Sequence, residues 1–273
     1  MLVHRAESPF AHEEFGIETR REDSHSCMEA SPFLSVIIPA VNEAATLPHT
    51  IERLRAQSVT HEIIVAVAPS YDGTASIAEK HGTIVVECDR RQRAQQMNLG
   101  AARAKGAVLL FLHADTIVPE GAFERIADAL IDTQITGGAF ARLYDTPSRF
   151  LRFTCFLAEL RSRKLGIFLG DQAMFLRRET FDTLKGFKEM EIFEDFDFSQ
   201  RLSRLGKTVI LRPPVVSAAR RFYERGPLVT LCQDLFMTCQ YLAGAAPRDR
   251  ALKSPRRGTR LKRAFVPARL TAR

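Results

Sequence analysis

No apolar run in this chain approaches the roughly 20 residues that a helix needs to cross a bilayer, so the sequence offers no membrane span. Cysteine is sparse as well. Cys27, Cys88, Cys155, Cys232 and Cys239 are odd in number and scattered, which excludes a disulfide framework and a paired-cysteine metal site and reads as reduced thiols of a cytosolic protein. The first thirty residues lack an apolar core and carry Glu7, Glu13 and Glu14, so they do not read as a secretory signal. His4, His12 and His25 lie there without ligand spacing. Neither a period of 2 nor one of 3.6 is present, which predicts a disordered extension over residues 1–30.

Acidic residues are scarce at the other end. Residues 247–273 hold ten Lys/Arg against one Asp, and this stretch accounts for the formal net charge of +7. The rest of the chain is near neutral, so nucleic-acid binding by the folded part has little support. Residues 246–273 read as a basic, disordered tail. Such a tail is either solvated without a role or a peripheral contact with the inner face of a membrane. Over the whole chain, 45% hydrophobic and 26% charged residues are ordinary globular usage, enough for a full core, and the domain reads as residues 31–245.

What is present is an alternation of apolar runs and helical patterns. The central stretch is AVLLFLHADTIVP, residues 107–119, a run from Ala107 to Leu112 that halts at His113 and Asp115. It reads as a strand buried on both faces, with its C-terminal end opening into a loop, where open α/β sheets place their ligands. Asp115 either holds a hard cation through oxygen or caps the following helix.

Upstream, Phe33–Pro39 and Glu62–Ala68 read as buried strands, each followed by a turn and a helix. A short strand at Thr83–Glu87 leads into the basic segment before a helix bearing Ala94, Met97 and Ala101. This order predicts βαβ units and a largely parallel sheet. Downstream, the pattern predicts a helix over 121–131, a strand over Thr136–Leu143, and a basic amphipathic helix over 148–165. That helix is expected to face the core, although its composition also suits a membrane surface. Then come a turn at Gly170-Asp171-Gln172, a short strand AMFLRR, a helix to Leu184, and a helix that starts at Glu194-Asp195. A last strand over Thr208–Leu211 precedes a helix over 227–243 that is expected to pack on the domain, although it too could touch lipid.

The segments SVIIPAVNEAATL, EIIV with its SYDGT turn, RAQQMNLGAARAKG, LFLHADT, GDQAMFLRRETFDTLKGF and FEDFDFSQRLSRLG stand in that order between residues 33 and 245. Together they resemble the family 2 glycosyltransferases of GT-A fold. Within that family the LHADT centre and GDQ loop are most similar to a small bacterial branch described as associated with radical-SAM and selenium-domain genes. The resemblance implies a Rossmann-like, three-layer α/β domain with a mostly parallel central sheet and a C-terminal helical extension. It also implies a nucleotide-diphosphate sugar as donor, a UDP-sugar favoured, and a small-molecule or lipid acceptor.

Carried over by position, Pro39 and Glu43 border the nucleotide pocket and Asp72 sits near the nucleoside. Arg93, Asn98 and His113 are implied at the donor, and Arg221 at the diphosphate. Asp115 matches the last acid of the metal motif, with Mg²⁺ or Mn²⁺ as cofactor. Gly170, Asp171 and Gln172 border the acceptor. Glu194-Asp195 match the acidic pair in which the aspartate is catalytic base. The implied reaction is an inverting single displacement.

Three positions depart from the family pattern. Val67 stands where an aspartate often holds the base or ribose, His113 replaces the first acid of the metal motif, and Ala218 stands where processive synthases carry a glutamine. A catalytically inactive nucleotide-sugar-binding or scaffolding relative is therefore a second reading. A sugar nucleotidyltransferase normally opens with a Gly-rich phosphate loop, and AVNEAAT contains no glycine.

Overall fold

The structure, a computed structural model, describes residues 33–242. The expected N-terminal extension and basic tail lie outside the described residues. The first half follows the alternation read from sequence: β1 (Leu34–Ala40), α1 (Leu47–Arg55), β2 (His61–Val67), α2 (Thr74–Lys80), β3 (Ile84–Glu87), α3 (Arg93–Arg103) and β4 (Val108–Phe111). Side chains on a strand point alternately to opposite faces, and β1 supplies both faces of the core. Val36 and Ile38 pack with Leu47, Ile51 and Leu54 of α1, whereas Ile37 packs with Ala94, Met97 and Ala101 of α3. Gly100 permits that second contact, because a β-carbon there would stand 2.5 Å from Ile37 Cγ2. Fully burying each such aliphatic side chain stabilises the fold by about 1.5–3 kcal/mol relative to exposure.

The second half adds β5 (Thr116–Ile117), α4 (Ala122–Ala129), β6 (Ile135–Tyr144), α5 (Arg149–Leu165), β7 (Met174–Arg177), α6 (Arg178–Thr183), α7 (Glu194–Leu205), β8 (Lys207–Ser217), α8 (Arg220–Arg225) and α9 (Pro227–Leu242). The sheet order is β3-β2-β1-β4-β7-β6-β8-β5. Pairing is parallel from β3 to β4 and between β6 and β8, and antiparallel around β7 and at β5. Helices cover both faces, giving the three-layer architecture implied by the resemblance.

Three features differ from the sequence reading. The last strand runs six residues beyond Leu211, straight through Pro213-Pro214. Its register with β6 steps from Phe140↔Leu211 to Arg142↔Val215, so two extra residues on β8 form a bulge that takes up the prolines, which have no N–H to donate. Second, β5 and α8 are too short to carry a periodic signal, and neither was expected.

Third, α5 turns most of its large apolar residues away from the core. Its buried seam is Leu151, Cys155, Ala158 and Ser162, and Phe153, Phe156, Leu157, Leu160 and Leu165 are exposed. Similarly, Leu228, Val229, Leu231 and Phe236 of α9 are exposed, which corrects the expected packing of that helix for these side chains.

Strand directions decide where the chemistry collects. The C-terminal ends of β1, β2, β4, β6 and β8 and the N-terminal end of β7 all reach one edge of the sheet. That edge carries Asn42-Glu43, Ser70 to Asp72, His113 to Asp115, Arg142, Gly170 to Gln172 and Arg220.

Candidate active site

The loops after β1 and β2 are clasped together. Asn42 takes a left-handed backbone (φ 55°), a conformation its short polar side chain tolerates. Its Oδ1 accepts the Tyr71 N–H at 2.9 Å, and its own N–H donates to Ser70 Oγ at 3.1 Å. Asp72 accepts the N–H groups of Ala44 at 3.0 Å and Thr74 at 3.1 Å. Burial alone would raise this carboxyl, but the bonds from Thr74 and Ala44 hold it below the usual aspartate value. Asp72 thus joins two loops at the rim, and both of its oxygens are engaged. Inside the rim, Gln96 Nε2 donates to the carbonyls of Ala40 (3.0 Å) and Ala66 (2.7 Å), tying together the ends of β1 and β2 where Pro39 lies.

Below the rim lies an acid pair bridged by one cation. Arg220 donates to Glu43 Oε1 at 2.8 Å and to Asp115 Oδ2 at 3.3 Å. Thr46 Oγ1 steadies the other Glu43 oxygen at 2.8 Å. Burial, reinforced by the neighbouring Glu43 charge and opposed by Arg220 and Arg93, raises Asp115 to about 6.

The residue bridging the acid pair is Arg220; the side chain of Arg221, implied at the diphosphate, lies outside the described residues. The approach to α8 is pinned by Ala218 N–H donating to the Asp115 carbonyl (3.2 Å) and Ala219 N–H donating to Asp145 Oδ1 (2.7 Å). That anchoring turns residue 220 inward.

Two carboxylates at one point form an oxygen donor set suited to a hard divalent cation. Among the described residues no cluster of three or more ligating side chains occurs.

A second acidic group adjoins the first through Arg93. Glu194 is 2% exposed and pairs with Arg93 Nη1 at 3.3 Å. The Arg93 charge also acts on Asp195 and Asp115. Both Asp195 oxygens accept backbone N–H groups, Oδ2 from Gly170 at 2.6 Å and Oδ1 from Phe196 at 2.7 Å. Burial nevertheless outweighs those bonds and Arg93, and raises the Asp195 carboxyl above the usual range. Glu194 is raised by burial as well, against the pull of Arg93. Buried carboxyls raised in this way suit proton transfer.

The Gly170-Asp171-Gln172 turn divides in function. Gly170 holds Asp195. Arg142 donates to Asp171, and Tyr144 Oη adds a bond at 3.4 Å. Burial would raise Asp171, but Arg142 and His113 keep it below the usual range, so it stays ionised. Gln172, 1% exposed, is consumed by the scaffold: its amide serves the Phe140 carbonyl, the Leu169 N–H and Ser162 Oγ.

Asn98, implied at the donor, is likewise a clasp. It donates to the Phe187 carbonyl at 2.8 Å and accepts the Phe187 N–H at 2.9 Å, which fixes Phe187 on the Phe198 ring at 4.3 Å. A primary amide matches a peptide group in donor and acceptor, and these two bonds use half of its hydrogen-bonding capacity. The structure therefore gathers Glu43, Arg93, His113, Asp115, Gly170, Asp171, Glu194 and Asp195. It adds Arg142 and Arg220, which no motif signalled, although Arg220 is the immediate neighbour of the arginine singled out.

A three-layer α/β domain with carboxylates and arginines at the C-terminal edge of its sheet has the GT-A architecture of nucleotide-sugar-dependent glycosyltransferases. The sequence agrees: the model of the Glycosyl transferase family 2 matches residues 35–184, more than half of the chain, and the chain belongs to that family. Asp195 and Arg220 lie beyond the matched stretch. A curated relative, glycosyltransferase AglE of Haloferax volcanii, is 28% identical over 42% of this chain and 45% of its own length.

Among solved structures, a mannosyltransferase from Pyrobaculum calidifontis in complex with GDP-Man and Mn²⁺ superposes with a TM-score of 0.57 at 22% identity, covering 70% of this chain and 57% of that one. Glucosyl-3-phosphoglycerate synthase from Mycobacterium tuberculosis superposes with a TM-score of 0.54 at 21% identity, covering 79% and 81%. The chain thus spans about half the length of the first two relatives. At these identities the superpositions establish the fold.

Proposed function

We propose that the chain is an inverting, metal-dependent hexosyltransferase that moves a sugar from a nucleotide diphosphate, a UDP-sugar favoured, to an acceptor hydroxyl. The observation that carries this reading is the junction of two groups through Arg93. One is the acid pair Glu43 and Asp115 with Arg220; the other is the buried, raised Asp195. The first group suits a diphosphate and the second suits a proton.

Arg220 and Arg93 offer planar guanidinium donors, the geometry that recognises phosphate oxygens. Asp115 and Glu43 would hold Mg²⁺ or Mn²⁺, which supplies Lewis-acid stabilisation of charge on the departing diphosphate. Asp195 takes the proton of the acceptor hydroxyl through the remaining lone pairs of its oxygens, while that hydroxyl oxygen bonds to the anomeric carbon. The bond from that carbon to the diphosphate breaks, and its electron pair leaves with the phosphate. Glu194 keeps Arg93 in place. Gly170 and Asp171 border the acceptor side.

Several structural relatives carry nucleotide sugars, GDP-Man in one and UDP-GlcNAc in another, which supports a donor of this class. Membership of the radical-SAM and selenium-domain-associated branch, a location at the inner face of the membrane and a lipid acceptor belong to the same proposal.

The test is thermal-shift screening of UDP, GDP and dTDP and their sugars with and without Mn²⁺, followed by turnover of the stabilising donor. A ligand at 100 times its dissociation constant adds about 2.7 kcal/mol. Donor binding without any transfer or donor hydrolysis would favour the inactive, binding-only reading suggested by Val67 and His113.

A further inference from the structure

The side of α5 turned away from the protein is more apolar than the side turned in. Opposite the seam of Leu151, Cys155, Ala158 and Ser162 lie Phe153, Phe156, Leu157 and Leu160, with exposures of 57%, 59%, 46% and 44%. At 3.6 residues per turn these four share an arc of roughly 100°. Arg149 and Lys164 close the stripe at its two ends, Arg152 and Arg163 line one flank, and all four are exposed. Glu159 is the single acid in α5, and it is neutralised by Arg163 at 2.9 Å and Arg212 at 3.0 Å. The surface that results is an apolar stripe bounded by net positive charge, with Arg149, Arg152 and Lys164 outside the Glu159 pairing.

We propose that this face of α5 docks in the plane of an anionic membrane, with Phe153, Phe156, Leu157 and Leu160 beneath the headgroups and Arg149, Arg152, Arg163 and Lys164 on lipid phosphates. A helix with a narrow core seam, bulky outward aromatics and basic flanks is built for the interface between headgroups and acyl chains. Long basic side chains there keep their charge at the surface while their stems lie along the apolar stripe. Charge decides against a second copy of the chain as occupant. Both ends of the stripe are basic, so two copies pairing through it, in either direction, would set like charges against each other at an apolar contact. Anionic headgroups supply the opposite sign, and the ten basic residues within 247–273 act in the same direction.

The proposal gives the membrane contact of the reading above a surface. Its test uses neither donor nor acceptor, so it stands or fails separately from glycosyl transfer. The chain contains no tryptophan, so Phe156→Trp is a single emission reporter in the full-length protein. The expected result is co-sedimentation with phosphatidylcholine vesicles that contain phosphatidylglycerol. It should be accompanied by a blue shift of emission and quenching by brominated acyl chains, with much weaker effects on phosphatidylcholine alone.

Adding Phe153→Ser and Leu160→Ser to the reporter should lower partitioning by about tenfold or more without moving the thermal midpoint, because both side chains already face solvent. Three outcomes would overturn the proposal. The first is no association with anionic vesicles. The second is co-sedimentation with emission unchanged from water, which would assign the contact to the tail. The third is a blue shift that grows with protein concentration in the absence of lipid, which would assign the face to a second copy.

Discussion

Gly170 donates its N–H to Asp195 Oδ2 at 2.6 Å, and a β-carbon on Gly170 would stand 2.7 Å from His113 Nε2 and 3.3 Å from Asp195 Oδ2. The turn before β7 is therefore wedged between the proposed base and the histidine at the end of β4. Gly170→Ala must displace His113 or carry the turn away from Asp195. A misplacement of about 1 Å can cost on the order of 10²-fold, so kcat should fall by tenfold to a hundredfold, with UDP affinity nearly unchanged. Steady-state kinetics alongside UDP calorimetry check this. Unchanged kcat would show that the turn does not position Asp195.

The role of Asp195 as base separates chemistry from binding. Asp195→Asn keeps the shape and an acceptor oxygen for one of the two backbone N–H groups. General-base catalysis typically supplies 10²–10⁴-fold, so transfer should fall by about that factor while UDP affinity stays within about threefold. Glu194→Gln should lower transfer less, and by loosening Arg93 it should weaken donor binding more. A loss of donor binding in Asp195→Asn that tracks the loss of activity would make Asp195 a binding group.

Much of this arrangement was legible in the sequence. Continuous apolar runs closed by proline or polar residues marked β1, β2 and β4 to within a residue or two, because strands buried on both faces tolerate little else. Strand ends and a helix start singled out Asp115 and Glu194-Asp195, and the resemblance added Glu43; the fold brings these acids to one edge. What could not be read depends on three-dimensional phase. One residue along a helix is a rotation of about 100°, so the pattern alone did not single out Arg220 as the residue on the acids. Periodicity in α5 reveals two opposed stripes but not which faces inward; the core took Cys155, Ala158 and Ser162, which allow close approach. The amides of Asn98 and Gln172 look alike in sequence whether they meet a ligand or a peptide group. The β8 bulge that carries Pro213-Pro214 exists only because β6 offers it a partner.

Asp197, two residues beyond the proposed base, predicts how stability responds to acid. It accepts from Lys188 Nζ at 2.7 Å and Arg201 Nε at 2.6 Å, and Arg201 also holds the carbonyls of Leu184 (2.7 Å) and Gly186 (3.0 Å). Burial would raise this carboxyl, but Lys188 and Arg201 outweigh it and hold the folded-state pKa below the ordinary 3.8. The sign follows: the stabilisation is fully present above pH 3.8 and is lost as pH falls through the lower folded value. Asp197→Asn should cost about 1–2 kcal/mol at neutral pH, in line with charged hydrogen bonds, and converge on wild type in strong acid. Urea unfolding at neutral and acid pH measures both ends, and a constant difference across the range would refute the linkage.

The bridge from Arg220 to Glu43 and Asp115 predicts opposite effects on metal and on nucleotide. With its guanidinium 2.8 Å from Glu43 and 3.3 Å from Asp115, Arg220 neutralises the pair that would otherwise attract a divalent cation. Arg220→Ala removes that competitor, so Mn²⁺ alone should bind more tightly by about tenfold or more, because one charge interaction at about 4 Å is about 1 kcal/mol in bulk water and about 4 kcal/mol near a protein surface. The same change removes a phosphate donor, so UDP should bind more weakly in the presence of Mn²⁺. Asp115→Ala acts differently: it deletes a ligand, so Mn²⁺ should no longer strengthen UDP binding. Calorimetry of Mn²⁺ alone, UDP alone and UDP with Mn²⁺ distinguishes the three proteins. If Arg220→Ala leaves Mn²⁺ affinity unchanged and Asp115→Ala keeps the full metal effect on UDP, the acid pair is not the metal site and Arg220 merely closes a surface ion pair.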